Sequence, residues 1–364
     1  MNRYFYYLII VNMLINVVAY VPRYLIEQRF NGTIMSIIIG VIITIVFLYV
    51  FSNSLSQFPG LGQPEIIKKY TSKWFSVPFL FFVGILFYVS GWFVLLAFIN
   101  ISKMFISPEM STFLISFLFL VLVGFGSMIK TERILYALEI VILFSIPLII
   151  IIFFKSIFNP YFKWDGVKIV FTHFQEKPSF TGIGTASYSL LGYYYLGIFN
   201  RSFKKKVKPL KFYQAFGIGI VGLLNLFTSV FVPLGLNGID TIDNYTFPWI
   251  ATADSMHMEF GFIERVLFLF LLLYIGMALV GVIISWHVSL EYFKSCTPQI
   301  NWKNINVVKY CYVLIFITII LICSNFLDET DVYYITKLYF SLLVFVNVFV
   351  TALMFWIKRR AKVE

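Results

Sequence analysis

Charged residues are scarce in this sequence. Of its 364 residues, 12% are charged and 60% are hydrophobic, and the mean hydropathy is +0.89. A soluble domain carries about 25% charged residues. This composition excludes an ordinary soluble globular protein and indicates that most of the surface meets lipid.

Cysteine and histidine are also rare, with three of each. There is no CxxC motif and no pair of histidines at metal-ligand spacing, so we expect neither a disulfide framework nor a metal site. GxSxG, HExxH, P-loop and Rossmann glycine patterns are absent as well. The sequence therefore predicts no enzyme, no catalytic residues and no cofactor.

Long apolar runs are abundant. Because a spanning helix needs about 20 mostly apolar residues, each run is a candidate transmembrane helix. The first run is followed by no cleavage pattern typical of a signal peptide, so we expect it to be retained. We predict an all-α polytopic membrane protein with about ten transmembrane helices, at residues 4–25, 33–52, 75–100, 112–128, 133–154, 180–199, 212–232, 262–288, 308–325 and 334–357.

The net charge of +11 is distributed unevenly between the two sides that ten spans define. With the N-terminus inside, nineteen of the 28 basic residues fall in the inner segments, among them the cluster Lys204–Lys206. Cytoplasmic loops carry such an excess of Lys and Arg. The sequence therefore predicts that both termini are cytoplasmic and that the positive charge faces the lipid bilayer rather than nucleic acid.

Ten segments divide into two sets of five. Because five is odd, the second set enters the membrane in the opposite orientation, as in the inverted repeats of secondary transporters. We therefore expect a single integral membrane domain over 1–364, with one five-helix repeat at 1–155, an external loop at 156–178 and a second repeat at 179–364.

The sixth segment combines glycines with hydroxyl groups. A binding site at the bilayer midplane requires unwound backbone, and helix N-termini near such a break favour a carboxylate. Small residues also allow helices to pack closely, and the sequence leaves both interpretations open. The candidate ligand-binding residues here are Gly182, Gly184, Thr185, Ser187 and Tyr188.

The first segment contributes further polar candidates. Asn12 and Asn16 lie four residues apart and share a helical face, and Tyr20 precedes Pro22. Amides at this depth face the protein interior or a cavity, so Asn16 and Tyr20 are predicted to bind ligand, with an interhelical hydrogen bond as the alternative. Glu139, a carboxylate within an apolar run, is a candidate for proton coupling.

Two stretches resemble the spore germination permeases, the B subunits of GerA-type germinant receptors. FSNSLSQFPGLGQPEI (Phe51–Ile66) is similar to the FPG loop of that family, and FPWIATADSMHMEFGFIERVLFLFLLLYIG (Phe247–Gly276) to its approach to the eighth span. The resemblance implies the LeuT-like fold of the amino acid–polyamine–organocation superfamily. It also implies a small-molecule germinant, an A-type subunit and a lipoprotein C-type subunit as partners, and location in the spore inner membrane.

The chain departs from the superfamily pattern in the first segment. Where that pattern has two glycines before the proline, this sequence has Ile15 and Val17, which do not supply the backbone freedom of glycine. The hypothesis that follows is a germinant-receptor B subunit that senses a nutrient such as an amino acid and helps to trigger germination. The alternative is a proton-coupled transporter of amino acids or organic cations with the same fold.

Overall fold

The computed structural model describes residues 2–106, 108–203, 208–257, 264–298, 301–302 and 305–361. The basic cluster Lys204–Lys206 and residues 258–263 of the second family-like stretch lie outside this part of the chain. The helices are α1 (Arg3–Asn16), α2 (Tyr20–Glu27), α3 (Thr33–Leu55), α4 (Gln63–Tyr70), α5 (Lys73–Phe105), α6 (Thr112–Ser127), α7 (Thr131–Ile157), α8 (Trp164–Thr172), α9 (Phe180–Ser189), α10 (Leu196–Phe199), α11 (Phe212–Asn237), α12 (Pro248–Asp254), α13 (Val266–Cys296), α14 (Val307–Phe326) and α15 (Glu329–Arg360).

Three 3₁₀ turns and one small hairpin complete the described elements. The turns are Leu191–Tyr195, Asn200–Ser202 and Ile242–Asn244, and the hairpin pairs β1 (Asn301–Trp302) with β2 (Ile305–Asn306). The segment predicted as an external loop, 156–178, contains the short helix α8.

Seven of the described helices are long and apolar enough to cross a membrane: α3, α5, α7, α11, α13, α14 and α15. The bent pair α1 and α2 passes the same test when the two helices are taken together, which gives up to eight spans by length and composition. The all-α polytopic class is therefore confirmed. The other two predicted segments correspond to α6, which is apolar but only 16 residues long, and to the interrupted stretch from α9 to α10. For these two, crossing the membrane stays a prediction.

Close helix packing in the core depends on glycine. α13 packs along α5, and a Cβ atom at Gly91 of α5 would lie 2.7 Å from the Trp286 ring of α13. α9 lies against α3 and α15. The result is a bundle in which α1 and α9, the helices predicted to begin the two repeats, are both surrounded by other helices.

The bundle has two ends, which we name by the short helices there. The α4 end holds α4 and the start of α7, where Thr131 bonds the His287 ring near the end of α13 at 2.9 Å. The α12 end holds α12 and the end of α7, where the Ser156 hydroxyl contacts Met256.

Candidate functional site

The first spanning segment is broken without glycine. α1 ends at Asn16 and α2 begins at Tyr20, and the two helices meet at an angle of 57°. In a continuous helix Pro22 would leave the Val18 carbonyl without a donor, and its ring would clash with that carbonyl. The proline accounts for the interruption, so the residues Ile15 and Val17 do not prevent it.

The second break lies further along the chain than the sequence predicts. α9 is helical through Gly182 and Gly184 and ends at Ser189, after which Leu191–Tyr195 forms a 3₁₀ turn. A Cβ at Gly182 would lie 2.6 Å from Ser36 Oγ of α3, and one at Gly184 would overlap the Phe340 carbonyl of α15. Both glycines therefore serve helix packing, and the change from α-helical to 3₁₀ geometry comes after them.

Asn12 joins the two interrupted helices. Its buried side-chain amide donates to the carbonyls of Tyr188 and Ser189, both at 2.9 Å. These carbonyls belong to the last turn of α9, where the regular i+4 donors end. The backbone N–H of Leu190 also donates to the Tyr188 carbonyl. The Tyr195 hydroxyl donates to Asn12 Oδ1 at 3.3 Å. Asn12 thus caps α9 from the middle of α1.

Asn225 of α11 makes the reciprocal connection. Its amide donates to the Met13 carbonyl in the last turn of α1 at 3.2 Å and contacts Ser189 Oγ at 3.4 Å. Side-chain amides therefore supply donors to the ends of both broken helices. We call the six residues that make these contacts the helix-break junction: Asn12, Met13, Tyr188, Ser189, Tyr195 and Asn225.

Of the predicted ligand-binding residues, Tyr188 belongs to this junction. Its hydroxyl lies 2.7 Å from Ser90 Oγ of α5. Asn16 borders the junction, because its amide donates to the Asn12 carbonyl at 2.8 Å. Tyr20 is buried beyond the break, and its hydroxyl has no hydrogen-bond partner among the described residues.

The two remaining hydroxyl candidates bond backbone carbonyls. The Thr185 hydroxyl donates to the Thr181 carbonyl of its own helix at 2.8 Å, and the Ser187 hydroxyl donates to the Gly40 carbonyl of α3 at 3.3 Å. Their binding role stays a prediction. Sequence reasoning missed Asn225 and Tyr195 as members of the site, although an asparagine in the middle of apolar α11 is the same signal that marked Asn16.

A cavity of about 50 Å³ adjoins the junction, which we call the junction cavity. It has room for a few water molecules or for part of a small ligand. The residues that line it are uncharged and combine amides, hydroxyls and aromatic rings: Asn12, Gln63, Val83, Leu86, Phe87, Ser90, Tyr188, Leu191, Tyr194, Tyr195, Tyr339, Leu343, Val346, Asn347 and Val350. The buried Gln63 Nε2 has no hydrogen-bond partner among the described residues, so the cavity presents an unmatched donor group.

Glu139, the candidate for proton coupling, lies apart from this cavity. It pairs with Arg3 at 3.0 Å and accepts a hydrogen bond from the Tyr4 hydroxyl at 2.9 Å. The Arg3 side chain is 60% exposed, so this pair sits near the surface at the α4 end. Its coupling role stays a prediction, and its partner is a basic side chain at the start of α1.

A group of charged residues lies at the α4 end, beyond the junction cavity. Arg201, which follows α10, forms hydrogen bonds with Glu65 of α4 at 2.6 Å and with Glu291 of α13 at 2.7 Å. Burial lowers the pKa of the Arg201 guanidinium, but the two carboxylates outweigh burial and hold that pKa above its ordinary value. The cation therefore persists and joins three elements at this end.

The described residues hold no group of His, Cys, Asp or Glu that could bind a metal ion. Many apolar helices, two of them broken and joined at buried amides beside an uncharged cavity, define a polytopic membrane protein of the permease class. The chain belongs to the spore permease family, because the model of that family, described as spore germination protein, matches residues 2–332. No curated protein matches the chain. The resemblance seen in the sequence is thus confirmed, and with it a permease role in spore germination.

Proposed function

We propose that this chain is the B subunit of a germinant receptor and that it senses a small nutrient in the spore inner membrane. The helix-break junction carries this proposal. Asn12 connects α1 to the end of α9 and also lines the junction cavity. A ligand in the cavity therefore touches the group that holds the two interrupted helices together.

The lining indicates the class of nutrient. Its residues are uncharged, so a ligand with a net charge would lose hydration without gaining a counter-ion there. Amides and phenols supply hydrogen bonds to a nutrient without net charge, such as a small amino acid, of which the cavity holds a part. Binding shifts the conformational equilibrium only by the difference in affinity between two states, and a ligand that contacts Asn12 has a direct means of creating that difference.

The family match is consistent with a germinant-receptor assembly. We propose an A-type subunit and a lipoprotein C-type subunit as partners, and cytoplasmic termini. The first segment of each proposed repeat is the broken one, α1–α2 in one and α9–α10 in the other. This correspondence supports the inverted-repeat arrangement.

The proposal is tested with spores that carry Tyr188→Phe, compared with a matched control. Tyr188 lines the junction cavity, whereas the Tyr88 hydroxyl donates to the Phe316 carbonyl of α14 at 3.0 Å and lies outside it. We expect Tyr188→Phe to raise the half-maximal nutrient concentration for germination by up to about tenfold, the equivalent of one hydrogen bond. Tyr88→Phe should leave that concentration unchanged.

Equal dose–response curves for the two variants, across amino acids, nucleosides and sugars, would contradict the proposed site.

Uptake of radiolabelled nutrient into proteoliposomes tests the alternative function, that of a transporter. Saturable uptake that depends on a proton gradient and is lost in Glu139→Gln would favour a proton-coupled transporter of amino acids or organic cations.

A further inference from the structure

A second cavity, of about 80 Å³, lies between the α1–α2 break and helices α7, α11, α12 and α13. We call it the α12-side cavity. It shares no lining residue with the junction cavity. Its lining residues are mostly apolar: Leu14, Val17, Val18, Ile149, Ile152, Phe153, Asn225, Thr228, Trp249, Phe270, Leu273, Tyr274 and Met277.

Two buried polar atoms in this lining are unmatched. Tyr274 is 1% exposed and Trp249 is 4% exposed, and neither the tyrosine hydroxyl nor the indole Nε1 has a hydrogen-bond partner among the described residues. A buried donor without a partner costs about 1–3 kcal/mol. Two such donors on the wall of one cavity are a reason to expect an acceptor in it.

The rest of the lining defines the body of that ligand. The Trp249 and Phe270 rings stack with an interplanar angle of 2°, and aliphatic side chains form most of the remaining wall. None of the lining residues is charged. The volume is about half of the roughly 150 Å³ apolar cavity that holds benzene, a molecule of six carbon atoms, in an engineered protein, so the ligand has about three or four non-hydrogen atoms.

We propose that the α12-side cavity is a second binding site, for a small uncharged molecule with an apolar body and an acceptor oxygen, such as a ketone. The oxygen accepts from Tyr274 or Trp249, and the body fills the space between Phe270, Leu273 and Met277.

Two sets of lining residues connect this site to the helix-break junction. Val17 and Val18, which form the break, belong to the cavity wall. Asn225 lines the same cavity and donates to the Met13 carbonyl. A bound molecule therefore restrains the break and stabilises the contact of Asn225 with the end of α1.

Binding is tested on the purified full-length chain in detergent by saturation-transfer NMR, with acetone as the probe and isobutene as its matched hydrocarbon. We expect acetone to bind the more tightly, and Tyr274→Phe to weaken its binding by up to about tenfold. Tyr88→Phe should leave acetone binding unchanged. If Tyr274→Phe fails to fold, Trp249→Phe removes the other donor and makes the same prediction.

Absence of acetone binding, or equal binding of ketone and hydrocarbon, would overturn the site. The coupling is tested by hydrogen–deuterium exchange. Saturating acetone should slow amide exchange at residues 14–20 in the wild type, and unchanged exchange there would overturn the coupling. Both readouts are independent of germination, so their failure is distinguishable from failure of the proposed nutrient site.

Discussion

Two asparagine side chains donate hydrogen bonds to backbone carbonyls at the ends of the interrupted helices. A helix end leaves carbonyl groups without intrahelical donors, and inside a membrane there is no bulk water to supply them. Asn12 supplies donors to α9, and Asn225 supplies one to α1. Each asparagine serves a helix other than its own, so the two breaks depend on each other.

Replacing Asn12 by leucine should destabilise the protein strongly. The change removes this donor from the buried carbonyls of Tyr188 and Ser189, at a cost of about 1–3 kcal/mol for the Ser189 carbonyl and less for that of Tyr188, which keeps the Leu190 N–H. The matched control is Asn16→Leu, because the Asn16 amide donates, among the described residues, only to the Asn12 carbonyl of the same helix. Thermal unfolding in detergent, followed by gel filtration, should show the larger loss for Asn12→Leu. A larger loss for Asn16→Leu would contradict the capping role.

At the scale of helices, the packing of α9 against its neighbours explains the glycines of the sixth segment. Gly182 faces α3 and Gly184 faces α15, so a side chain at either position would meet another helix. These glycines are required because α3 and α15 approach α9 closely, and not because the helix is interrupted at them. The interruption comes later, after α9 ends at Ser189.

Gly184→Ala should therefore reduce stability through steric overlap. The added methyl group meets the Phe340 backbone, which yields less easily than a side chain, and overpacking of this kind costs about 1–3 kcal/mol. Gly217 of α11 is the control, because a Cβ there has no neighbour within 4 Å. Gly217→Ala should be neutral or stabilising by up to about 1 kcal/mol, as helix propensity predicts. Similar melting temperatures for the two variants would refute the packing argument.

The sequence predicts those parts of the fold whose free energy is dominated by one contribution. Hydrophobic runs locate the long helices, because burial in lipid outweighs every other preference of such segments. The breaks depend on finer balances. Pro22 disrupts the first segment without the expected glycines, and the end of α9 follows from contacts with α3, α15 and Asn12 that are distant in sequence. The role of Asn225 could not be predicted from the sequence, because the carbonyl that accepts its hydrogen bond lies on α1, 212 residues earlier in the chain.

For the whole molecule, the charge distribution predicts which end of the bundle faces the cytoplasm. The α4 end carries Lys68, Lys69 and the Arg201 group, and the loop that contains Tyr161 follows α7 at the opposite end. Basic residues near short loops remain inside. We therefore expect the α4 end to be cytoplasmic.

Labelling of single cysteines tests this orientation. In a background without Cys296, Cys311 and Cys323, a membrane-impermeant maleimide should label Tyr161→Cys from the outside of intact cells, because Tyr161 is 80% exposed. Lys69→Cys, also exposed, should react only after the membrane is permeabilised. The reverse labelling pattern would show that the orientation is opposite to the one predicted. Labelling of positions 69 and 161 from the same side would refute the predicted number of membrane crossings between these two positions.

In the proposed nutrient sensor, the hydrogen bonds already made at the helix-break junction would determine how selective binding is. An incoming molecule has to compete with donors already in place on the Tyr188, Ser189 and Met13 carbonyls. Each exchange of one hydrogen bond for another yields little net free energy, about 1 kcal/mol or less. A compound with a single polar group therefore changes the balance very little, whereas one whose several groups match at once displaces the resident contacts together. Discrimination then arises from competition inside the protein, and chemically simple solutes are ignored even when they are abundant.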